Sequence, residues 1–207
     1  MRITKGKILQ VSGTLFNEKG LSNVSMRTIA DELTISPGNL TYHFRKREDI
    51  IEALYFELVD NMNEAIAQAQ QTGLASIYQM TQAINSILYT YRFIMLDFTT
   101  IMRNNKKIKT HFEKLCELRK VQFTGIINHL IKTGILRQEE LPREYEFLYY
   151  RFQLIGDYWV SSAEILHQKI AKKHIELYNE IILQSLYPYL TKKGRNEYHA
   201  LMKSILI

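Results

Sequence analysis

Residues 25–48 read SMRTIADELTISPGNLTYHFRKRE, and this stretch predicts two short helices joined by a tight turn. Ser25 is a helix-capping residue type and precedes a segment of helical apolar periodicity over residues 26–33. Ser36 is a second such cap, and the Pro37 that follows it suits the first position of a helix. A short helix, a tight turn and a second short helix form the arrangement in which the second helix lies in the major groove of DNA.

The second of these helices has two chemically different sides. At about 100° per residue, Leu40 and Phe44 share the side of Pro37 and are expected to face the core. The outward and flanking positions offer an amide, a phenol, a hydroxyl and an imidazole, which can bond base edges and phosphates, and residues 45–47 add positive charge. The residues predicted to contact DNA are Ser25, Arg27, Ser36, Pro37, Gly38, Asn39, Thr41, Tyr42, His43 and Arg47.

Helical periodicity continues on both sides of this stretch. A first helix is predicted over residues 4–19, ended by Gly20, and a long helix over residues 48–71, ended by Gly73. Further helices are predicted over residues 74–91, 94–103, 106–132, 142–167 and 171–190. The sequence has no alternating strand pattern with hairpin turns, so the predicted fold class is all-α.

The composition indicates a globular protein with an anionic partner. Hydrophobic residues make up 46 % of the chain and charged residues 23 %, with only 9 Gly and 3 Pro. The formal net charge is +6, and the first 50 residues hold eight Lys or Arg against five Asp or Glu, which suits nucleic acid. The chain has one cysteine, no secretion signal at its start and no segment apolar enough to span a bilayer. We therefore expect a cytoplasmic protein without a membrane partner.

Three runs of residues carry a family resemblance. They are LFNEKG at residues 15–20, IADEL at residues 29–33 and ISPGNLTYHFRKRE at residues 35–48. Together they resemble the DNA-binding segment of the TetR family of transcriptional regulators. They lie within the first quarter of the chain, and their order and spacing are specific.

The resemblance implies an obligate homodimer of two-domain subunits. A three-helix helix-turn-helix domain is expected over residues 1–47, and a larger helical domain for ligand binding and dimerisation over residues 48–207, with helix 48–71 as the connector. The last two helices, here residues 142–167 and 171–190, would pair with their symmetry mates. A two-fold dimer matches a palindromic operator in double-stranded DNA, with half-sites about one helical turn apart.

Aromatic residues are frequent, with 13 Tyr and 9 Phe, and many cluster in two stretches. They can build a pocket for an unknown, largely apolar small molecule, although core or dimer packing is the alternative for each ring. The predicted ligand-binding residues are Tyr89, Phe93, Phe98, Phe152, Tyr158 and Trp159. Asp157 lies within an apolar run, where it is either a buried acid that meets a polar ligand group or a local helix or dimer contact.

Other chemistries find no support in the sequence. His111, Cys116 and His129 are metal-ligand types, but their spacing matches no metal motif, so no metal or other cofactor is expected. The chain contains no nucleophile elbow, phosphate loop or dinucleotide fingerprint, so we expect no catalytic residues and no enzyme activity. Two function classes remain, namely a repressor released from its operator by a small molecule, and a DNA-bound adaptor whose C-terminal domain docks a protein partner.

Overall fold

The computed structural model describes residues 3–68, 73–167 and 170–205, and these residues are helical almost throughout. The helices are α1 (Lys5–Lys19), α2 (Met26–Glu32), α3 (Pro37–His43), α4 (Arg47–Gln68), α5 (Leu74–Thr90), α6 (Arg92–Leu96), α7 (Phe98–Asn104), α8 (Lys106–Lys132), α9 (Glu144–Leu166), α10 (Lys172–Ser185) and α11 (Lys192–Ile205). Within the described ranges no strand is present, and the one isolated bridge joins Leu136 and Leu190. The all-α prediction is confirmed. None of the described helices is long and apolar enough to cross a membrane.

The first three helices begin at side-chain caps, of which those at Ser25 and Ser36 were predicted. The backbone N–H of Lys7 donates to Thr4 Oγ1 at the start of α1, at 3.2 Å. Ser25 caps α2 by accepting from the Thr28 backbone N–H at 3.1 Å. Ser36 caps α3 in the same way, by accepting from the Asn39 N–H at 3.2 Å. Each serine or threonine oxygen thus satisfies one of the N–H groups that a helix start leaves without an internal partner.

Two of the predicted helices differ from the helices that the structure shows. The predicted helix over residues 94–103 is wrong, because Asp97, with φ of −103° and ψ of 18°, ends α6 and begins α7. Aspartate is a poor interior helix residue because its side chain competes for backbone groups. The predicted helix over residues 171–190 ends at Ser185, and residues 187–189 around Pro188 form a 3-10 turn. The predicted end of the helix over residues 48–71 lies outside the described residues, which stop at Gln68 before the gap.

Helix α11 was not predicted. The basic residues from Lys192 to Arg195 form its first turn, and Thr191 Oγ1 accepts from the Gly194 N–H at 3.1 Å. Its apolar side, with Tyr198, Leu201 and Met202, packs against the core of the helical domain. The resemblance had implied that α9 and α10 are the last two helices of the chain. That expectation is wrong, because α11 follows them.

The chain divides into two compact units, one of residues 1–62 and 87–109 and one of residues 63–86 and 110–207. The first unit is built around buried side chains that include Ile8, Phe16, Leu40 and Phe93, and the rings of Phe16 and Phe93 lie 5.1 Å apart. The second has a core drawn from α5, α8, α9, α10 and α11. Helices α4, α5 and α8 each contribute residues to both units. The predicted functional division between residues 47 and 48 stays a prediction.

Gly194 allows α11 to approach the loop after α8 closely. A Cβ atom at this position would lie 2.3 Å from the Ile135 carbonyl oxygen, which is backbone and cannot rotate away. We expect Gly194→Ala to lower the free energy of unfolding by about 1 to 3 kcal/mol, the range for overpacking a filled site. Urea denaturation at fixed protein concentration measures this change.

The matched control is Gly125→Ala, since Gly125 is exposed on α8 and has nothing within 4 Å of its Cβ direction. Alanine there should raise the free energy of unfolding by about 0.5 to 1 kcal/mol, because it is the better helix former. If the two variants shifted stability in the same direction by the same amount, the close approach at Gly194 would have no energetic consequence.

Candidate nucleic-acid interface

The turn between α2 and α3 fixes the angle at which α3 leaves the core. The Ile35 N–H donates to the Ala30 carbonyl at 3.0 Å and the Thr34 N–H to the Asp31 carbonyl at 3.1 Å. This pair of bonds is the Schellman arrangement, in which the residue after the helix cap takes the left-handed conformation. Thr34 holds that position with φ of 54°, which is unfavourable for a β-branched residue.

Replacing Thr34 by glycine should therefore stabilise the protein. Relief of the left-handed strain should raise the free energy of unfolding by about 1 to 2 kcal/mol. The greater conformational freedom of glycine in the unfolded chain should lower it by about 0.5 to 1 kcal/mol. We expect Thr34→Gly to raise the free energy of unfolding by about 0.5 to 1 kcal/mol, as measured by urea denaturation. Thr14→Gly, at an exposed position within α1, should instead lower it by about 0.5 kcal/mol. A loss of stability in Thr34→Gly would show that the turn is not strained.

Helix α3 is anchored on one side and open on the other. Leu40 is completely buried and Phe44 is buried at the end of the helix, whereas the Tyr42 side chain is 83 % exposed. Asn39 and Thr41 are also exposed, and His43 is half-buried. This agrees with the facing predicted from helical periodicity. The exposed side of α3 thus presents an amide, a hydroxyl and a phenol on a rigidly packed helix.

The polar groups on this surface differ in the hydrogen bonds and ion pairs that they already make within the protein. Thr41 Oγ1 donates to the Pro37 carbonyl at 2.8 Å, so its lone pairs remain as acceptors. The Ser25 and Ser36 hydroxyl oxygens serve as helix caps. Arg27 lies 3.9 Å from Asp31, with both side chains largely exposed, and such a surface pair is weak enough to leave Arg27 available for a phosphate.

Arg47 has an internal role that the sequence did not reveal. Its guanidinium donates to the carbonyl oxygens of Leu21 at 2.8 Å and Val24 at 3.2 Å, and it lies 3.6 Å from Glu48. These bonds connect the start of α4 to the turn that leads into α2. The prediction that Arg47 contacts a phosphate stays a prediction, while Arg45 and Lys46 are exposed beside it. Lys5, over the ring of Phe44 at 5.8 Å, adds positive charge near the same helix end.

Comparison with known proteins identifies this arrangement. A family model described as a bacterial transcriptional repressor of the TetR type matches residues 55–198, well over half of the chain. A second model, for bacterial regulatory proteins of the tetR family, matches residues 8–54, which contain the turn and α3. The chain belongs to the TetR family. It is therefore a transcriptional regulator with a DNA-binding helix-turn-helix, as the resemblance implied.

Several TetR family relatives are similar to this chain at low identity. The regulator UidR of Escherichia coli K12 is 28 % identical over 88 residues, which are 42 % of this chain. The chain spans 43 % of the length of that relative. The repressor KstR2 of Rhodococcus jostii is 21 % identical over 182 residues, covering 83 % of this chain and 87 % of that protein.

Solved TetR family structures share the fold over nearly the whole chain. A regulator from Marinobacter aquaeolei is 25 % identical with a TM-score of 0.85, and 98 % of each chain is covered. The ketosteroid transcriptional regulator KstR2 of Mycobacterium tuberculosis, 14 % identical, has a TM-score of 0.67 over 93 % of this chain and 97 % of that chain. SmeT, solved in complex with triclosan, is 12 % identical, with a TM-score of 0.62 over 91 % of this chain and 92 % of that one. The last two show the fold alone.

In this TetR family chain, the six predicted ligand-binding residues fall into two groups. Tyr89, Phe93 and Phe98 belong to the first unit, where Phe93 packs on Phe16 of α1. The other three, Phe152, Tyr158 and Trp159, lie on α9 in the second unit. Phe152 meets the edge of Phe123 at 5.8 Å, Trp159 is buried against Tyr178 at 5.0 Å, and Tyr158 is exposed. Their role in ligand binding stays a prediction.

Asp157 lies in a polar seam between α8 and α9. Burial raises the pKa of its carboxyl to about 6, although a hydrogen bond with Gln153 acts in the opposite direction. Gln153 Nε2 also donates to Cys116 Sγ at 3.3 Å, and the Tyr149 hydroxyl donates to the Cys116 carbonyl at 2.8 Å. Burial likewise raises the pKa of the Cys116 thiol to about 11. Both Asp157 alternatives stated from the sequence stay open.

Within the residues that the structure describes, no group of three or more His, Cys, Asp or Glu is arranged to hold a metal ion.

Proposed function

We propose that this protein is a repressor that binds a palindromic operator as a homodimer and is released when a small molecule binds its helical domain. The observation that carries the proposal is the two-sided α3, with Leu40 buried and Asn39, Thr41 and Tyr42 exposed beside a basic run. Such a helix can enter the major groove without losing its packing, and its polar groups can bond base edges. The comparisons do not favour the adaptor alternative.

An apolar stripe on α9 and α10 supports the homodimer. Its exposed side chains are Phe147, Leu154, Tyr158 and Ile165 on α9, and Leu177 and Ile181 on α10. The α9 positions recur at helical spacing, so they share one side of the helix. Exposed apolar side chains that share one side of a helix are typical of an interface, and a two-fold pairing would cover them with the same surface of a second copy.

Contacts within the first unit support coupling between ligand and DNA. Asn17 of α1 donates through Nδ2 to the Thr90 carbonyl at 2.8 Å and accepts from the Phe93 N–H at 3.1 Å. The Tyr91 hydroxyl, between these two residues, donates to Glu57 of α4 at 2.8 Å. The junction of α5 and α6 is therefore bonded both to the first helix of the helix-turn-helix and to α4. Displacement of this junction by a ligand would move α1 and, with it, α3.

The effector that we propose is a largely apolar small molecule bound among the aromatic side chains of the helical domain. The triclosan complex of SmeT shows that a protein of this fold can hold an apolar small molecule. A coupling free energy of about 1 to 3 kcal/mol is typical of such regulators. It corresponds to a change in operator affinity of about 5- to 150-fold.

The test is a screen of small apolar molecules for release of labelled operator DNA, followed by titration of each active molecule with and without operator. Operator should lower ligand affinity by the same factor by which ligand lowers operator affinity, since linkage is reciprocal. The buried Trp159, the one tryptophan of the chain, should report binding through its fluorescence, and Trp159→Phe should bind without that signal. If molecules that bind the helical domain left operator affinity unchanged, the proposal of ligand release would be wrong.

A further inference from the structure

A cleft of about 210 Å³ lies within the first unit, beside the helix-turn-helix. One wall is the turn after α1, through Leu21 and Ser22, and the first turn of α4. The opposite wall is α7 with the residues that flank it. The residues that line it are Leu21, Ser22, Arg47, Glu48, Ile51, Asp97, Thr100, Ile101, Asn104 and Asn105. A cavity of about 150 Å³ holds benzene, so this cleft has room for one aromatic ring with a short arm.

The floor and the rim of the cleft differ in character. Leu21, Ile51 and Ile101 are buried apolar side chains that form the floor. On the rim, Arg47 is already bonded to two carbonyl oxygens and paired with Glu48. Its charge is thus balanced before any ligand enters.

Asp97 supplies the unbalanced charge. It lies at the junction of α6 and α7, and its carboxylate has neither a hydrogen bond nor an ion pair with any residue that the structure describes. An apolar floor beside one uncompensated carboxylate complements a molecule with a hydrocarbon body and a single positive charge.

We infer that this cleft is a small-molecule site for an amine carried on a compact apolar body. The ammonium group binds the Asp97 carboxylate, and the apolar body covers Leu21, Ile51 and Ile101. This site is separate from the effector site proposed above, and the inference does not rest on ligand release from DNA.

The position of the cleft gives its occupant a direct route to the DNA-binding helices. Arg47 and Leu21 line the cleft, and the same Arg47 guanidinium bonds the Leu21 and Val24 carbonyls just before the Ser25 cap of α2. An occupant therefore packs against the residues that hold the start of α2.

Titration of the full-length protein with phenethylamine, and in parallel with the neutral phenethyl alcohol, tests the inference. Binding is followed through the isoleucine methyl signals of the protein in NMR spectra. We expect signals from Ile51 and Ile101 to shift, and the amine to bind about fivefold more tightly than the alcohol, the size of one exposed ion pair. Asp97→Asn should remove this difference while leaving the binding of the alcohol unchanged.

A second pair of variants tests the location. Thr100→Trp places an indole at an exposed position that lines the cleft and should abolish binding of both molecules. Thr99→Trp, at an exposed neighbouring position that does not line the cleft, should leave both affinities intact. Absence of binding up to the solubility limit, equal affinity for amine and alcohol, or binding that survives Thr100→Trp would each overturn the inference.

Discussion

A protein with glutamate at both Leu154 and Ile181 should be a monomer with at least about a hundredfold lower operator affinity. Both side chains belong to the exposed apolar stripe of α9 and α10, and Leu154 is 60 % exposed in the single chain, so the changes need not disturb the subunit core. In a two-fold interface each substitution occurs twice, which places unpaired charges in a desolvated surface. Without the dimer, the second half-site no longer binds at high effective concentration, and avidity of about 10² to 10⁴ is lost.

Sedimentation and titration of labelled operator measure the two effects on one sample. The matched control is Val121→Glu on α8, whose side chain is 69 % exposed and does not belong to the apolar stripe of α9 and α10. It should stay dimeric and keep its operator affinity. A double glutamate variant that remains dimeric would place the interface elsewhere, and a monomer with unchanged operator affinity would contradict the need for two half-sites.

Loss of the Asn39 amide should weaken operator binding by about 1 to 3 kcal/mol and relax the preference at one base pair. Asn39 is exposed on α3, and its amide can donate to and accept from a single adenine at the same time. Alanine removes both bonds and leaves the base edge without a partner. The helix should be unaffected, because alanine is the better helix former and it is the backbone N–H of residue 39 that bonds the Ser36 cap.

Arg45→Ala is the comparison for this substitution. Arg45 is an exposed cation beyond the end of α3, so its loss should weaken binding to all sequences alike and lower the salt dependence by about one counterion. Anisotropy titrations against an operator and its single-base variants, at several salt concentrations, separate these two patterns. If Asn39→Ala kept both affinity and base preference, α3 would not read bases through this residue.

The DNA-binding helices could be predicted from the sequence because their signals are local. Ser25, Ser36 and Pro37 each act within one turn of their own position, and the inner and outer sides of α3 follow from a period of 3.6 residues. The order and spacing of these residues were specific enough to indicate the TetR family, which the comparisons show.

The features that could not be predicted depend on distant residues. Arg47 bonds carbonyls more than twenty positions earlier in the chain, and its charge alone suggested a phosphate contact. Neither glycine nor proline marks the break at Asp97. The helical periodicity of the sequence therefore continued across it and predicted one helix. Helix α11 begins in a basic run that resembles a solvated end, although Thr191 before it is a capping residue type that could have indicated its start.

Selection of bound sequences from a random pool of duplex DNA by the full-length protein shows whether the protein reads a palindrome through α3. We expect enrichment of a palindrome whose two half-sites are centred about one helical turn apart, with one position in each half-site that loses its preference in Asn39→Ala. Recovery of unrelated sequences, or of a single asymmetric half-site bound with full affinity, would contradict a two-fold regulator that reads DNA through α3.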